Sequence, residues 1–226
     1  MFVLGTYRNT TCLILNKRSE SVRQPGDLCC PGGGISSRTD RFFSNMLRLP
    51  GSPLTRWPHW RHWRDKKKSE SKPLTILLAG ALRESFEEMR MNPAGVSFLG
   101  PLPPQQLAMF KRNIYPMVCW VPRQKRFFPN REVEKLIYIP LRKLLDPCNY
   151  ALCRMRSRVP RKAWNGSTEK DFPCYIHDDT DLLWGATFRI TMAFLDITFG
   201  FGHPDPENLP VVHAALGKNY LTGNRS

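Results

Sequence analysis

Apolar residues fall into several short runs that predict strands and two longer stretches that predict helices. Residues 11–15 form an apolar run that predicts a strand ending in Asn16-Lys17-Arg18-Ser19. Arg23-Gln24-Pro25-Gly26-Asp27 predicts a turn. Leu28-Cys29-Cys30 predicts a short extended piece leading into Pro31-Gly32-Gly33-Gly34. From about Leu74, the positions Leu78, Leu82, Ser85/Phe86 and Met89 follow helical spacing and predict one buried stripe. Pro93 ends that helix near Met91-Asn92. Residues 96–100, 114–121 and 132–139 predict strands, with Pro116 marking an edge or a bulge in the second. Residues 141–145 predict a short helix, 154–170 a basic polar loop, 171–176 a short strand and 182–199 a long apolar helix. The chain after Gly200 reads as turn-rich, and no internal repeat is present. Strands and helices in this irregular alternation predict an α/β (α+β) fold, a mixed sheet with helices on both faces.

One segment breaks the pattern. Residues 41–72 hold nine Lys or Arg against two acids, together with Trp57, Trp60 and Trp63. Pro50, Pro53 and Pro58 exclude a long helix there, and three tryptophans argue for local order. Three readings of this segment stand at this stage. It forms a lid whose tryptophans stack on a base, or a nucleic-acid contact, or a surface excursion whose tryptophans pack back onto the domain.

Composition narrows the class. The chain has 226 residues, of which 41% are hydrophobic and 11% aromatic, enough for a packed core. A net charge of +15 suits a polyanionic partner: a phosphorylated metabolite, a nucleic acid or an anionic membrane. No apolar run reaches the ~18–20 residues of a membrane-spanning helix, and the N-terminal residues lack the pattern of a signal peptide. Seven cysteines without a CxxC pair fit reduced thiols, hence a cytoplasmic location. The five histidines form no recognisable ligand set.

The run Ala81-Leu82-Arg83-Glu84-Ser85-Phe86-Glu87-Glu88-Met89 carries the candidate chemistry. Glu84, Glu87 and Glu88 stand at i, i+3 and i+4, so in a helix they share one face, centred opposite the buried stripe. Crowded like charges repel, whereas hard oxygen donors suit a divalent cation that meets phosphate. Upstream, Gly32, Gly33 and Gly34 let backbone approach a ligand closely. Arg83 stands four residues before Glu87 and pairs with it on a helix. The competing reading of the three glutamates is a solvated acidic face.

Gly-Gly followed by Arg83-Glu84-Ser85-Phe86-Glu87-Glu88 resembles the Nudix box, GX5EX7REUXEEXGU, with Ser85 in place of the aliphatic residue. Ile14-Leu15-Asn16-Lys17-Arg18-Ser19, then Arg23, Gly26 and Pro31-Gly32-Gly33, is similar to the segment preceding the box in the coenzyme A diphosphatase branch. Asn130-Arg131-Glu132-Val133, Ile139-Pro140-Leu141 and Trp184-Gly185-Ala186-Thr187 also resemble that branch. The chain departs from the pattern in three places. Gly34 and Arg83 are far apart, so an insert, residues 41–73, interrupts the box. Counted from Gly34 the first box glutamate falls on Asp40, and counted from Gly33 on Thr39; Asp40 is read either as an outer ligand or as a loop acid. Arg90 stands at the late box glycine.

The resemblance implies one Nudix-type domain over residues 1–226, an α/β/α sandwich around a central mixed sheet. It implies a Mg²⁺- or Mn²⁺-dependent hydrolase of a diphosphate bond in a nucleoside-diphosphate-linked small molecule. Coenzyme A or a derivative is the leading substrate. ADP-ribose, NADH, a dinucleotide and a nucleotide sugar are the alternatives, and a non-catalytic nucleotide- or RNA-binding protein is the rival class. On this reading Glu87 and Glu88 are metal ligands and Glu84 is a third ligand or the general base. Arg83 fixes the glutamates, and the Gly33 or Gly34 carbonyl completes the shell. Arg18, Arg23, Gly32 and Gly34 are candidate substrate contacts. Glu132 is a second candidate base and equally a strand-surface residue.

Overall fold

The computed structural model describes residues 1–36, 38–107, 112–158, 164–178, 181–217 and 220–222. Along the chain, β1 (Phe2–Tyr7), β2 (Thr10–Arg18) and the two-residue β3 (Leu28–Cys29) precede three helices, α1 (Thr39–Met46), α2 (Trp60–Lys66) and α3 (Lys68–Met89). Five strands follow: β4 (Ser97–Pro101), β5 (Gln105–Leu107), β6 (Arg112–Ile114), β7 (Met117–Val121) and β8 (Val133–Pro140). The remainder is α4 (Leu141–Leu144), β9 (Tyr150–Ser157), β10 (Glu169–His177), β11 (Asp181–Leu183), α5 (Gly185–Phe199) and β12 (Val211–Leu216).

The central sheet has six strands and is mixed. Its order is β3-β2-β1-β7-β4, with β8 on β2 as well. β1 is antiparallel to β2 and parallel to β7. Strand alternation sends successive side chains to opposite faces. Val3 and Ile14 meet Leu74, Leu78, Leu82 and Met89 of α3 on one face. Phe2, Leu4, Leu13 and Leu15 meet Phe188, Ile190, Phe194 and Leu195 of α5 on the other. This is the mixed α+β architecture with helices on both faces that the sequence predicts.

Several boundaries differ from expectation. β1 is an unpredicted strand. α3 begins at Lys68, earlier than the periodicity predicts, and runs through Pro73. Within it Ser85 is buried and Phe86 is exposed, so Ser85 alone continues the stripe. Ser85 Oγ donates to the Ala81 carbonyl at 2.7 Å, which satisfies the buried hydroxyl within the helix. Pro116 separates β6 from β7, and β7 is an interior strand between β1 and β4.

The predicted loop 154–170 is replaced at both ends by β9 and β10, and its part at 159–163 lies outside the described residues. In β9, Ala151, Cys153, Met155 and Ser157 point inward while Arg154 and Arg156 point out. Those arginines pair across the strands with Asp171 and Glu169 at 2.9 and 2.6 Å. The stretch after Gly200 contributes β12, parallel to β9, to a second sheet of order β11-β10-β9-β12. Asp181 ties the two sheets together. Burial works against its charge, but Lys17 of β2 and Lys135 of β8, at 2.9 and 3.3 Å, outweigh it and hold the carboxyl below its usual range.

Residues 41–73 contribute to the core. α1 and α2 pack on α3. Trp57 and Trp60 are buried with Leu47 and Leu54 in the cluster beneath α3. The Trp57 indole donates to the Leu99 carbonyl at 3.0 Å and stands edge-on to Phe98, with centroids 4.9 Å apart. Arg56 reaches the Ala94 and Val96 carbonyls at 3.1 and 2.9 Å. Both indoles are more than nine-tenths buried, which corrects the expectation that Trp57 or Trp60 stacks on a base. Trp57→Ala removes both packing and the bond to Leu99. It should cost about 3–5 kcal/mol, read from the denaturant midpoint. An unchanged midpoint would place the insert outside the core.

Candidate active site

The site lies where the C-terminal turns of α3 meet the glycine turn after β3. Position in α3 divides the three glutamates: Glu87 is exposed, while Glu84 and Glu88 are partly buried against the turn. Gly33 has no side chain for a physical reason. A Cβ there would come within 2.5 Å of the Glu84 carboxylate. Gly32 holds a φ of 145°, and its N–H donates to Glu88 Oε2 at 3.0 Å.

Arg83 is the hub. Its Nε donates to Asp40 Oδ1 at 2.7 Å and its Nη2 to Asp40 Oδ2 at 3.3 Å. Nη2 also lies 2.8 Å from Glu84 Oε1 and donates to the Gly34 carbonyl at 3.1 Å. Nη1 meets both Glu87 oxygens at 3.2 and 3.1 Å. The bond to Asp40 is the first cause that raises the guanidinium pKa, followed against burial by the bonds to Glu87 and Glu84. Asp40 is fully buried, accepts from the Ser36 N–H at 2.6 Å, and sits 3.0 Å from where a Cβ on Gly80 would stand. Asp40 therefore pairs with Arg83, and α1 docks on α3 at a glycine. The Gly34 carbonyl is engaged by Arg83.

Glu88 is anchored differently. Asn16, buried at the end of the apolar run of β2, donates Nδ2 to Glu88 Oε2 at 2.8 Å. Its Oδ1 is buried without a hydrogen-bond partner among the described residues. Sequence reasoning missed this residue. The signal is a polar amide closing a run of four buried hydrophobic positions, 12–15, on an interior strand. Burial pushes Glu88 up to about 7, against the Gly32 N–H that lowers it. Burial also raises Glu84, offset by Arg83.

The remaining candidates divide. Arg18 turns inward, its Nε donating to the Arg23 carbonyl at 2.6 Å, so it braces the 19–27 loop. Arg23 is exposed. Glu132 is exposed and in no ion pair among the described residues, but its loop is bound to the end of α3 by Asn130 N–H to Glu88 O at 2.8 Å. Arg90 caps α3 at a φ of 54°, the left-handed conformation for which glycine is the usual residue.

Among the described residues, no three His, Cys, Asp or Glu side chains stand close enough to hold an ion together. Arg83 draws Glu84 and Glu87 to itself, while Gly32 and Asn16 hold Glu88. The donors nonetheless fit a hard divalent cation in kind. They are carboxylate oxygens on a rigid helix beside a side-chain-free turn, and the partly buried Glu88 is in no ion pair among the described residues.

No family model matches the chain, and no curated protein matches it. Solved structures are similar in part. A Nudix hydrolase from Alicyclobacillus acidocaldarius is 14% identical over 64% of this chain and 79% of its own, with a TM-score of 0.41. A C. elegans Ap4A hydrolase binary complex is 10% identical over 62% and 77%, with a TM-score of 0.39. The Nudix domain of Shewanella oneidensis NrtR complexed with ADP ribose is 12% identical over 64% and 71%, with a TM-score of 0.35. At such identities and scores the likeness assigns neither activity nor substrate to this chain.

The raised pKa of Glu88 has a signed consequence. Its folded value, about 7, exceeds the unfolded one, so the native state binds the extra proton. This contribution to stability is present at low pH and is lost as pH rises through the window up to about 7. Glu88→Gln should flatten that slope and, without divalent cations at pH 8, stabilise the protein by about 1–3 kcal/mol in denaturant titrations. An unchanged slope would contradict the burial assigned to this carboxylate.

Proposed function

We propose that this chain is a metal-dependent hydrolase that cleaves a diphosphate bond in a nucleoside-diphosphate-linked substrate, giving a nucleoside monophosphate and a phosphorylated remainder. The observation that carries the reading is the Arg83 hub. It holds Asp40, Glu84, Glu87 and the glycine turn in one array although the two halves of the box are 43 positions apart. A solvated acidic face has no need of a buried aspartate, a side-chain-free turn and a shared guanidinium.

Glu87, Glu88, Glu84 and the Gly33 carbonyl would hold Mg²⁺ or Mn²⁺, and a cation bound there activates water and offsets phosphate charge. Glu84 and Glu87 would have to turn from Arg83 to serve as ligands, Arg83 would keep its pairing with Asp40, and Gly32 and Asn16 would hold Glu88. Glu84 is either the third ligand or the base. A base must reach the attacking oxygen within about 3 Å or through one water, and Glu132 is the second candidate for that role.

Coenzyme A or a derivative is the finer reading, and it rests on sequence resemblance. Supporting it, the resembling segments meet in space. Ser19 N–H donates to the Glu132 carbonyl at 3.0 Å and Ser19 Oγ to the Arg131 carbonyl at 2.9 Å. The Trp184 indole donates to Asp27 at 3.2 Å. The proposed setting is the cytoplasm, in keeping with seven free cysteines. No helix among the described residues is long and apolar enough to cross a membrane.

The test is a Mg²⁺/Mn²⁺-dependent turnover screen over coenzyme A, NADH, ADP-ribose, nucleotide sugars, dinucleotides and capped RNA. At least one should be cleaved, and Glu87→Gln with Glu88→Gln should lower its turnover by about a hundredfold or more. No turnover of any, or wild-type turnover in the double variant, would overturn the assignment.

A further inference from the structure

The insert carries a cavity that the site above does not use. It has a volume of about 950 Å³, and its lining includes Arg48, Arg61, Arg64, Lys68, Lys72 and the largely buried Trp60. Three elements bring these cations together. Arg48 follows α1, Arg61 and Arg64 lie one turn apart on α2, and Lys68 and Lys72 lie one turn apart at the start of α3. Arg64 is paired with its neighbour Asp65 at 2.8 Å. Among the described residues no ion pair involves Arg48, Arg61, Lys68 or Lys72. Four cations outside any ion pair among the described residues line one concave space, and their mutual repulsion favours an anion there.

The neighbouring surface narrows the anion. On α1 and the turn that continues it, Phe42, Met46 and Leu49 recur at i, i+4 and i+7, and all are exposed, Phe42 at 64%. This ridge lies opposite the buried positions Asp40, Ser44 and Leu47. Arg41 and Arg48, seven apart, run along its flank, so a basic lane beside an apolar ridge leads into the groove. A free phosphate has no use for the ridge. A flat lipid surface meets the ridge but does not enter the groove. A single strand of nucleic acid uses both, its backbone tracking the cations and its bases resting on Phe42 and its neighbours. Lys72 lies twelve residues before Glu84 on the same helix, about 18 Å away at 1.5 Å per residue. The groove is therefore separate from the carboxylates.

We propose that the insert is a binding site for single-stranded nucleic acid. The site stands whether or not the carboxylates hydrolyse a diphosphate. The test is fluorescence anisotropy of the full chain with labelled oligothymidylate and oligouridylate of about twelve nucleotides, between about 50 and 200 mM salt. Four to five phosphate contacts predict a slope of log K against log salt near about −3. Arg61→Gln with Lys68→Gln, both exposed, should reduce that slope by about 1.4. Phe42→Ser should weaken binding about tenfold at fixed salt. Arg142→Gln with Lys143→Gln on α4 removes the same charge elsewhere and should leave the slope unchanged. Three outcomes would overturn the proposal: no oligonucleotide binding, an equal effect of the α4 pair, or phosphatidylserine vesicles bound more tightly than either oligonucleotide.

Discussion

The Arg83–Asp40 pair is the interaction on which the rest of this structure depends. Asp40 is sealed from solvent, and without a partner its charge would cost several kcal/mol. Arg83 meets it with two nitrogens, the fork geometry that suits a carboxylate. The Arg83–Glu87 contact has the same chemistry in an exposed place, so it contributes at most about 1 kcal/mol. This inequality sets the behaviour of the site. The guanidinium is fixed at its buried end, and of its other carboxylate partners Glu87 is held in the more exposed place and Glu84 in the more buried one.

The same pair closes a connection of 43 positions. The cost of loop closure grows only logarithmically, each doubling of length adding about 0.6 kcal/mol. Burying Trp57, Trp60, Leu47 and Leu54 offsets this, since each buried large apolar side chain contributes about 1.5–3 kcal/mol. Three short elements, α1, α2 and the first turns of α3, thus become part of the core. Their outer faces keep the charges and the exposed phenylalanines that packing does not need.

What was legible in the sequence follows from locality. The carboxylate row and the buried stripe of α3 are interleaved in one run, and the glycine turn is a contiguous triplet, so each is local in itself. Asp40 was legible as a position, but its burial depends on Gly80, whose missing side chain makes room for it. β1 was missed because an interior strand packed on both faces reads as a continuous apolar run without alternation. β9 was missed because its alternation is carried by arginines whose partners, Asp171 and Glu169, lie on another strand. Asn16 escaped notice because its partner, Glu88, is 72 residues away. The tryptophans invited a binding role, and packing took them instead.

The central claim is that a buried Asp40–Arg83 contact ties α1 and the glycine turn to α3. A double-mutant cycle on folding stability measures it directly, with Asp40→Asn, Arg83→Gln and the double variant. The account predicts a coupling energy of about 2–3 kcal/mol, with each single variant nearly as unstable as the double. Additive effects, with coupling below about 0.5 kcal/mol, would contradict it.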